Sequence, residues 1–314
     1  MSVYAVKLNI MSIMATSKTK QYWFFVMSVL TTVFFYACDK EEDPVSDVDT
    51  ELSEMLGLRE VTVLNNQLVF DTIPNVNEDS KILIMIHGWL GSPESWTDFV
   101  PNIKSSSMVN YTNYWTYGYN SSYGIDMNGE LFANVIKDAS NGAHIDIVAH
   151  SMGGLVSRAA LENHHAEDNV NSLTTLGTPH QGSLLAQNSF VIDFLIASAS
   201  PFASFFHNES AEGYKDMNPD SPFIIQLANN PEPSIPYHTV ACVNNPEKWW
   251  LSNSWMLPGP DDGVVTVESA TTVSGATSPG KLVFIDTGNA HVTMVRSDQL
   301  FDQVVDFLSS YQDP

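Results

Sequence analysis

Ala149-His150-Ser151-Met152-Gly153-Gly154 is the stretch on which the reading of this chain turns. An apolar run, Ile145-Asp146-Ile147-Val148, precedes it, and Leu155-Val156-Ser157-Arg158-Ala159-Ala160-Leu161 reads as a helix after it. A serine at the junction of a strand and a helix, with small residues two places before and after it, fits the sharp G-x-S-x-G turn, here with alanine in the first place. The turn is so tight that those flanking positions must be small, and Ala149 and Gly153 meet the need. Such a turn projects the Ser151 hydroxyl from the end of a sheet. The helix start behind it offers free N–H groups to an oxygen that is gaining negative charge. Small-x-Ser-x-Gly also occurs in ordinary turns, so the serine needs partners elsewhere in the chain.

A serine hydroxyl is a weak nucleophile and needs a base, an acid that orients the base, and donors for the oxyanion. The donors are expected at His87-Gly88-Trp89-Leu90-Gly91, directly after the apolar run Ile82-Leu83-Ile84-Met85-Ile86. Gly88 lets the backbone approach a ligand, and position in the loop points to the N–H groups of Trp89 and Met152. His87 could be read as a reactive group itself, but a residue before such a loop more often organises it. The acid is expected in Gly259-Pro260-Asp261-Asp262-Gly263-Val264-Val265, with Asp262 favoured because it precedes the glycine of the turn and Asp261 as its rival. Asp-Gly pairs are also common in solvated turns. Nine histidines are candidates for the base. His144 opens a strand, His238 falls within one, and His164 and His165 sit in a polar loop. His150 adjoins the serine, but its side chain should leave the turn in another direction. His180 precedes both aspartates, which breaks the order serine, acid, histidine that accompanies this turn. His291 follows the last apolar strand and precedes the last helix, in the right order.

Composition limits the alternatives. The chain has 314 residues, 44% of them hydrophobic, enough for one sizeable α/β domain. A formal net charge of −23 argues against nucleic acid as a partner, because displacing counterions needs clustered Lys and Arg. Residues 1–37 carry Lys7, Lys18 and Lys20 and no acidic residue, and end in an apolar run from Tyr22 to Tyr36. At about 15 residues that run is short for a spanning helix of roughly 20 and reads as a signal peptide. Ala37-Cys38-Asp39-Lys40-Glu41-Glu42 resembles a bacterial lipoprotein cleavage site followed by an acidic export tag, with Cys38 lipidated, although Phe35 stands where leucine is usual. Residues 38–55 then form an acidic tether. With Cys38 lipidated no intramolecular disulfide is expected, and Cys242, the other of the two cysteines, lies in an apolar run. No Cys or His cluster suggests a metal.

Apolar runs separated by helical periodicity predict strands near 81–86, 111–119, 144–148, 171–176, 237–243 and 281–286. Helices are expected near 95–105, 129–139, 152–162 and 297–309, and a hairpin over 59–70 around Asn65-Asn66. Such alternation implies a mostly parallel sheet with helices on both faces. One segment breaks it. Residues 190–206 contain Phe190, Phe194, Phe202, Phe205 and Phe206, and read either as part of a cap or lid around 184–215 or as a core helix. Trp249, Trp250 and Trp255 are open in the same way, to an acyl site or to the core.

Together, His-Gly-Trp-Leu-Gly-Ser at 87–92, Ala-His-Ser-Met-Gly-Gly at 149–154, Leu-Gly-Thr-Pro-His-Gln-Gly-Ser at 176–183, Asp-Gly-Val-Val at 262–265 and His291 resemble the α/β-hydrolase superfamily on its lipase and esterase side. Asp216 to Phe223, with Leu227, is similar to the segment after the lid in bacterial lipases and in the inositol-deacylase-like branch. The resemblance spans roughly 58–310 and implies an α/β-hydrolase domain over 56–314. It implies hydrolysis of a small-molecule or lipid ester through an acyl-enzyme on Ser151, with His291 as base, Asp262 as acid and the Trp89 and Met152 amides as oxyanion hole. No cofactor or metal is implied. Amidase or thioesterase chemistry on the same groups is the alternative, and a non-catalytic surface-binding lipoprotein is the other. The protein is expected to be exported to the outer membrane or cell surface and to touch membrane only through its anchor. The sequence leaves its oligomeric state open.

Overall fold

The computed structural model describes residues 56–65, 67–187, 212–231, 234–243, 257–273, 282–285 and 291–311. The expected signal peptide (1–37), the tether with Cys38 (38–55), segment 190–206 and Trp249, Trp250 and Trp255 lie outside the described residues, as does most of the expected cap.

Among the described residues eight strands form one sheet: β1 (Gly57–Leu64), β2 (Gln67–Asp71), β3 (Lys81–Ile86), β4 (Asn113–Gly118), β5 (His144–His150), β6 (Val170–Leu176), β7 (Tyr237–Val243) and β8 (Leu282–Ile285). The α-helices described with them are α1 (Phe99–Ser105), α2 (Ile125–Ser140), α3 (Met152–Arg158), α4 (Glu212–Asp216), α5 (Pro222–Asn229), α6 (Val267–Thr271) and α7 (Asp298–Tyr311). The strand order is β2-β1-β4-β3-β5-β6-β7-β8. β1 runs antiparallel to both β2 and β4, and every other pair is parallel.

The apolar run of β3 explains the layers. Ile82, Ile84 and Ile86 point into one core cluster, and Leu83 and Met85 into the other. A strand with both faces buried needs a helical layer on each side. Phe99 and Ile103 of α1 and Leu300, Val304 and Leu308 of α7 cover the Leu83 face. Ile125, Phe132 and Ile136 of α2, Leu155 and Val156 of α3, and Phe223 and Leu227 of α5 cover the other. Each fully buried side chain of this size contributes about 2 kcal/mol. α5 starts where Ser221 caps the Ile224 N–H and Pro222 opens the first turn. It is tied to α3 by Arg158, which makes two hydrogen bonds to Glu162 at 2.7 and 3.0 Å and one to the Leu227 carbonyl at 3.2 Å.

The chain leaves β3 for β4 on one side and then crosses to β5 on the other. The ends of β3 and β5 therefore form the switch point at which open α/β sheets bind ligands. Their register sets Ile86 beside Ala149, so residues 87–91 and 150–154 emerge next to each other.

At the opposite end of β5, Asp146 is buried and accepts hydrogen bonds from Ser172 Oγ at 2.5 Å and Tyr111 Oη at 2.9 Å. Burial outweighs these donors and pushes its carboxyl up to about 6 from the ordinary 3.8. The folded state thus holds this proton more tightly than the unfolded chain. The associated stability is complete below about pH 4 and is lost as pH rises through 6. Asp146→Asn, fixed in the neutral form, should gain on the wild type in Tm between about pH 4 and pH 7. A Tm difference that is flat across that range would overturn this.

Candidate active site

Ser151 ends β5 with φ 53° and ψ −127°, in the left-handed region that a non-glycine residue rarely occupies. Three bonds hold it there. Its N–H donates to the Leu176 carbonyl at 2.9 Å, and its carbonyl accepts from Gly154 N–H at 3.0 Å and Thr178 Oγ1 at 2.9 Å. A Cβ on Gly153 would collide with the His87 and Ile86 carbonyl oxygens, so glycine is required where the turn meets the loop after β3. A Cβ on Gly88 would stand 2.8 Å from the Ser151 Cβ, so that loop passes directly against the serine.

His291 Nε2 lies 2.8 Å from Ser151 Oγ, and its Nδ1 lies 2.7 Å from Asp262 Oδ2. The His291 N–H also donates to the Asp262 carbonyl at 3.0 Å. Asp262 Oδ1 accepts from the Val264 and Val265 amides at 3.0 and 2.8 Å, so the buried carboxylate is satisfied on both oxygens. With Nδ1–H donating to Asp262, Nε2 is free to accept the serine proton. All three groups are buried, Ser151 at 7% exposure and His291 at 5%. This arrangement can draw a proton from the serine hydroxyl and hold the resulting imidazolium.

The neighbouring candidates are placed elsewhere. Asp261 Oδ1 accepts from Gly263 N–H at 2.7 Å, within its own turn. His180 is buried with Nε2 2.9 Å from Thr175 Oγ1, and burial, with Arg158 nearby, drives its pKa well below the usual value. The Trp89 and Met152 amides, on the loop after β3 and at the first turn of α3, donate to no other group among the described residues. His87 braces that loop. Its ring stacks on Tyr119 with centroids 4.4 Å apart, Nδ1–H donates to the Gly88 carbonyl at 2.8 Å, and Nε2 accepts from Tyr119 N–H at 3.4 Å. Among the described residues no group of three or more His, Cys, Asp or Glu could hold a metal ion.

Sequence reasoning set His150 aside, and the structure brings it to the site. Its Nε2–H donates to the His291 carbonyl at 2.9 Å, and the two rings lie 4.9 Å apart. The His291 backbone is therefore gripped by Asp262 at its N–H and by His150 at its carbonyl. The only signal in the sequence is that His150 ends a strand beside the serine, which says nothing of where its ring goes.

The mature form of a Bacillus licheniformis lipase has this architecture, with a TM-score of 0.52 and 21% identity over 76% of this chain and 96% of that one. The chain has the α/β-hydrolase fold. Within it, the sequence profile of the PGAP1-like alpha/beta domain matches residues 81–217. Triacylglycerol lipases of Pseudarthrobacter phenanthrenivorans and Burkholderia plantarii are each 32% identical over 124 residues, 36% of this chain. That stretch spans 37% and 33% of those relatives, so the chain aligns with about a third of each. The PGAP1-like match ends before Asp262 and His291. The match thus covers the loop after β3 and the turn at Ser151, while the placement of Asp262 and His291 rests on the distances above. Their order along the chain, serine, aspartate, histidine, is that of α/β-hydrolases.

Burial lowers the His150 pKa to about 3 and that of His87 to about 4, so both rings are neutral at working pH. Their bonds assign the proton to Nδ1 in His87 and to Nε2 in His150. Nitrogen-15 correlation spectra should show these tautomers, unchanged from about pH 5 to pH 8. Protonation of either ring within that range would contradict the assignment.

Proposed function

We propose that this protein is a serine hydrolase of carboxylic esters, of the lipase or carboxylesterase kind. The observation that carries the reading is the unbroken line of hydrogen bonds from Ser151 Oγ through His291 to Asp262. The triacylglycerol lipase relatives support an ester with a lipid acyl chain.

Ser151 Oγ attacks the ester carbonyl as its proton passes to His291 Nε2. Asp262 stabilises the imidazolium and keeps its tautomer. The carbonyl oxygen becomes an oxyanion and receives the Trp89 and Met152 N–H groups, each worth on the order of 10²–10³ in rate. Collapse breaks the bond to the alcohol, which leaves with the proton from His291. A water then gives a proton to His291 and attacks the acyl-enzyme. The acid departs, and Ser151 recovers its proton from His291. No metal or organic cofactor enters these steps.

Ser151→Ala should lower kcat on p-nitrophenyl esters by about 10⁶ with Tm unchanged, and Asp262→Asn by about 10⁴. Asp261→Asn should cost far less. Equal losses at the two aspartates, or activity retained without Ser151, would overturn the reading. A panel of acyl-chain lengths, with amide and thioester analogues beside it, separates lipase from esterase, amidase and thioesterase.

The basic and apolar residues 1–37 and the Ala37-Cys38 junction support export as a surface lipoprotein anchored at Cys38. Radiolabelled palmitate should enter the full chain and be lost in Cys38→Ala. Labelling that survives the substitution would refute the anchor.

A further inference from the structure

We propose that Ser121 is a positioning residue for the oxyanion hole, acting through the hydrogen bond its hydroxyl accepts from the Leu90 N–H. The inference rests on the ester-hydrolase reading above.

The loop after β3 is a four-residue turn closed by Gly91 N–H on the Gly88 carbonyl at 3.0 Å. Leu90, its third residue, has φ 55°, whereas Trp89, its second, is not among the residues of positive φ. That is the type II pattern, and it differs from type I by rotation of the middle peptide, the one that joins Trp89 to Leu90. Type II calls for glycine or asparagine at the third position. Leucine there costs roughly 1–2 kcal/mol. The turn therefore needs something to hold its middle peptide. Ser121 Oγ accepts the N–H of that peptide at 3.1 Å. The Trp89 amide, one of the two donors to the oxyanion, belongs to the same turn.

Ser121 can serve as a fixed acceptor because its own loop, between β4 and α2, is braced. Ser121 is buried, at 5% exposure. The Asn128 side chain donates to the carbonyls of Asn120 at 3.0 Å and Tyr123 at 3.3 Å. Asn120 Oδ1 in turn accepts from the Ser122 amide at 3.0 Å and its hydroxyl at 2.7 Å. On the other side, the Ser122 carbonyl accepts the Glu212 N–H at 3.1 Å, at the start of α4, and Tyr214 of that helix lies 4.9 Å from the Trp89 ring. The oxyanion turn is clamped to α2 and α4 through this loop.

Without the hydroxyl, the Leu90 N–H loses its acceptor and the strained turn can relax toward type I. That peptide turns about Trp89, so the backbone that carries the Trp89 amide shifts with it. An interaction made only in the transition state lowers kcat and leaves KM in place.

The test uses Ser121→Ala, Ser121→Thr and the double variant Ser121→Ala/Leu90→Gly, with kcat and KM on p-nitrophenyl butyrate, labelling by a fluorophosphonate, and Tm. Ser121→Ala should lose about ten- to a hundredfold in kcat, less than the roughly 10²–10³ for an oxyanion donor removed outright because the amide is displaced and still present, with KM changed less than about threefold. Ser121→Thr, which keeps the acceptor, should recover most of the loss. Leu90→Gly should restore kcat in the Ser121→Ala background, because glycine holds a positive φ without help. If Ser121→Ala does not fold, Ser121→Cys, of similar size and a weaker acceptor, should show the same kcat-selective loss in smaller degree. An unchanged kcat in Ser121→Ala, a loss confined to KM or Tm, or no rescue by both threonine and Leu90→Gly would overturn the proposal. A wild type inert to both ester and fluorophosphonate would instead strike the hydrolase reading itself.

Discussion

The closest approach between β3 and β5 is the constraint on which the site depends. A Cβ on Gly153 would collide with the carbonyls of Ile86 and His87, and one on Gly88 with the Ser151 side chain. Parallel pairing brings the two strands out in step, Ile86 beside Ala149, but pairing alone leaves their loops a side chain apart. Removing the side chains at both crossings lets one backbone supply the serine and the other supply amides to the same small volume. Donors of fixed direction in a dry site need no reorganisation when charge appears. The left-handed conformation of Ser151 and that of Leu90 are the strain this closeness entails.

Polar groups buried around the serine are each held in one state. Asp262 has an amide pair on one oxygen and His291 on the other. His87 and His150 are kept neutral by burial, so neither competes with His291 for a proton or repels it when it becomes charged. Both nevertheless donate, His87 to the loop of the amides and His150 to the backbone of His291.

The strands were legible in the sequence because their signal is local. Five consecutive buried residues in β3, the aromatic run of β4 and the small-x-Ser-x-Gly junction can be recognised without neighbours. The hairpin turned out to span Gly57–Asp71, and its β1 strand joins the parallel sheet at β4 in the antiparallel sense, which no pattern announced. α4 and α6, with five residues each, are too short to display a period. The helix expected over 152–162 is α-helical only to Arg158 and continues as a wider π turn over Ala159–Asn163. Asp261 and Asp262 share one loop and one composition. What separates them is direction: Asp261 bonds back into its turn, and Asp262 reaches His291 across a separation of 29 residues. His150 and Ser121 were invisible for the same reason, because their partners are backbone groups of distant loops.

The order of the parts along the chain has a consequence for biosynthesis. The loop after β3 and Ser151, between β5 and α3, come early, whereas the histidine that touches Ser151 lies 140 residues further on, after β8. A ribosome therefore releases the turn at Ser151 long before His291 exists, and β8 can pair only when β7 is already in place. A nascent or prematurely terminated chain holds an unassisted serine, no more reactive than one in any loop. Synthesis itself delays the assembly of the hydrogen-bonded line until the chain has passed His291, so the order of translation acts as a safety catch.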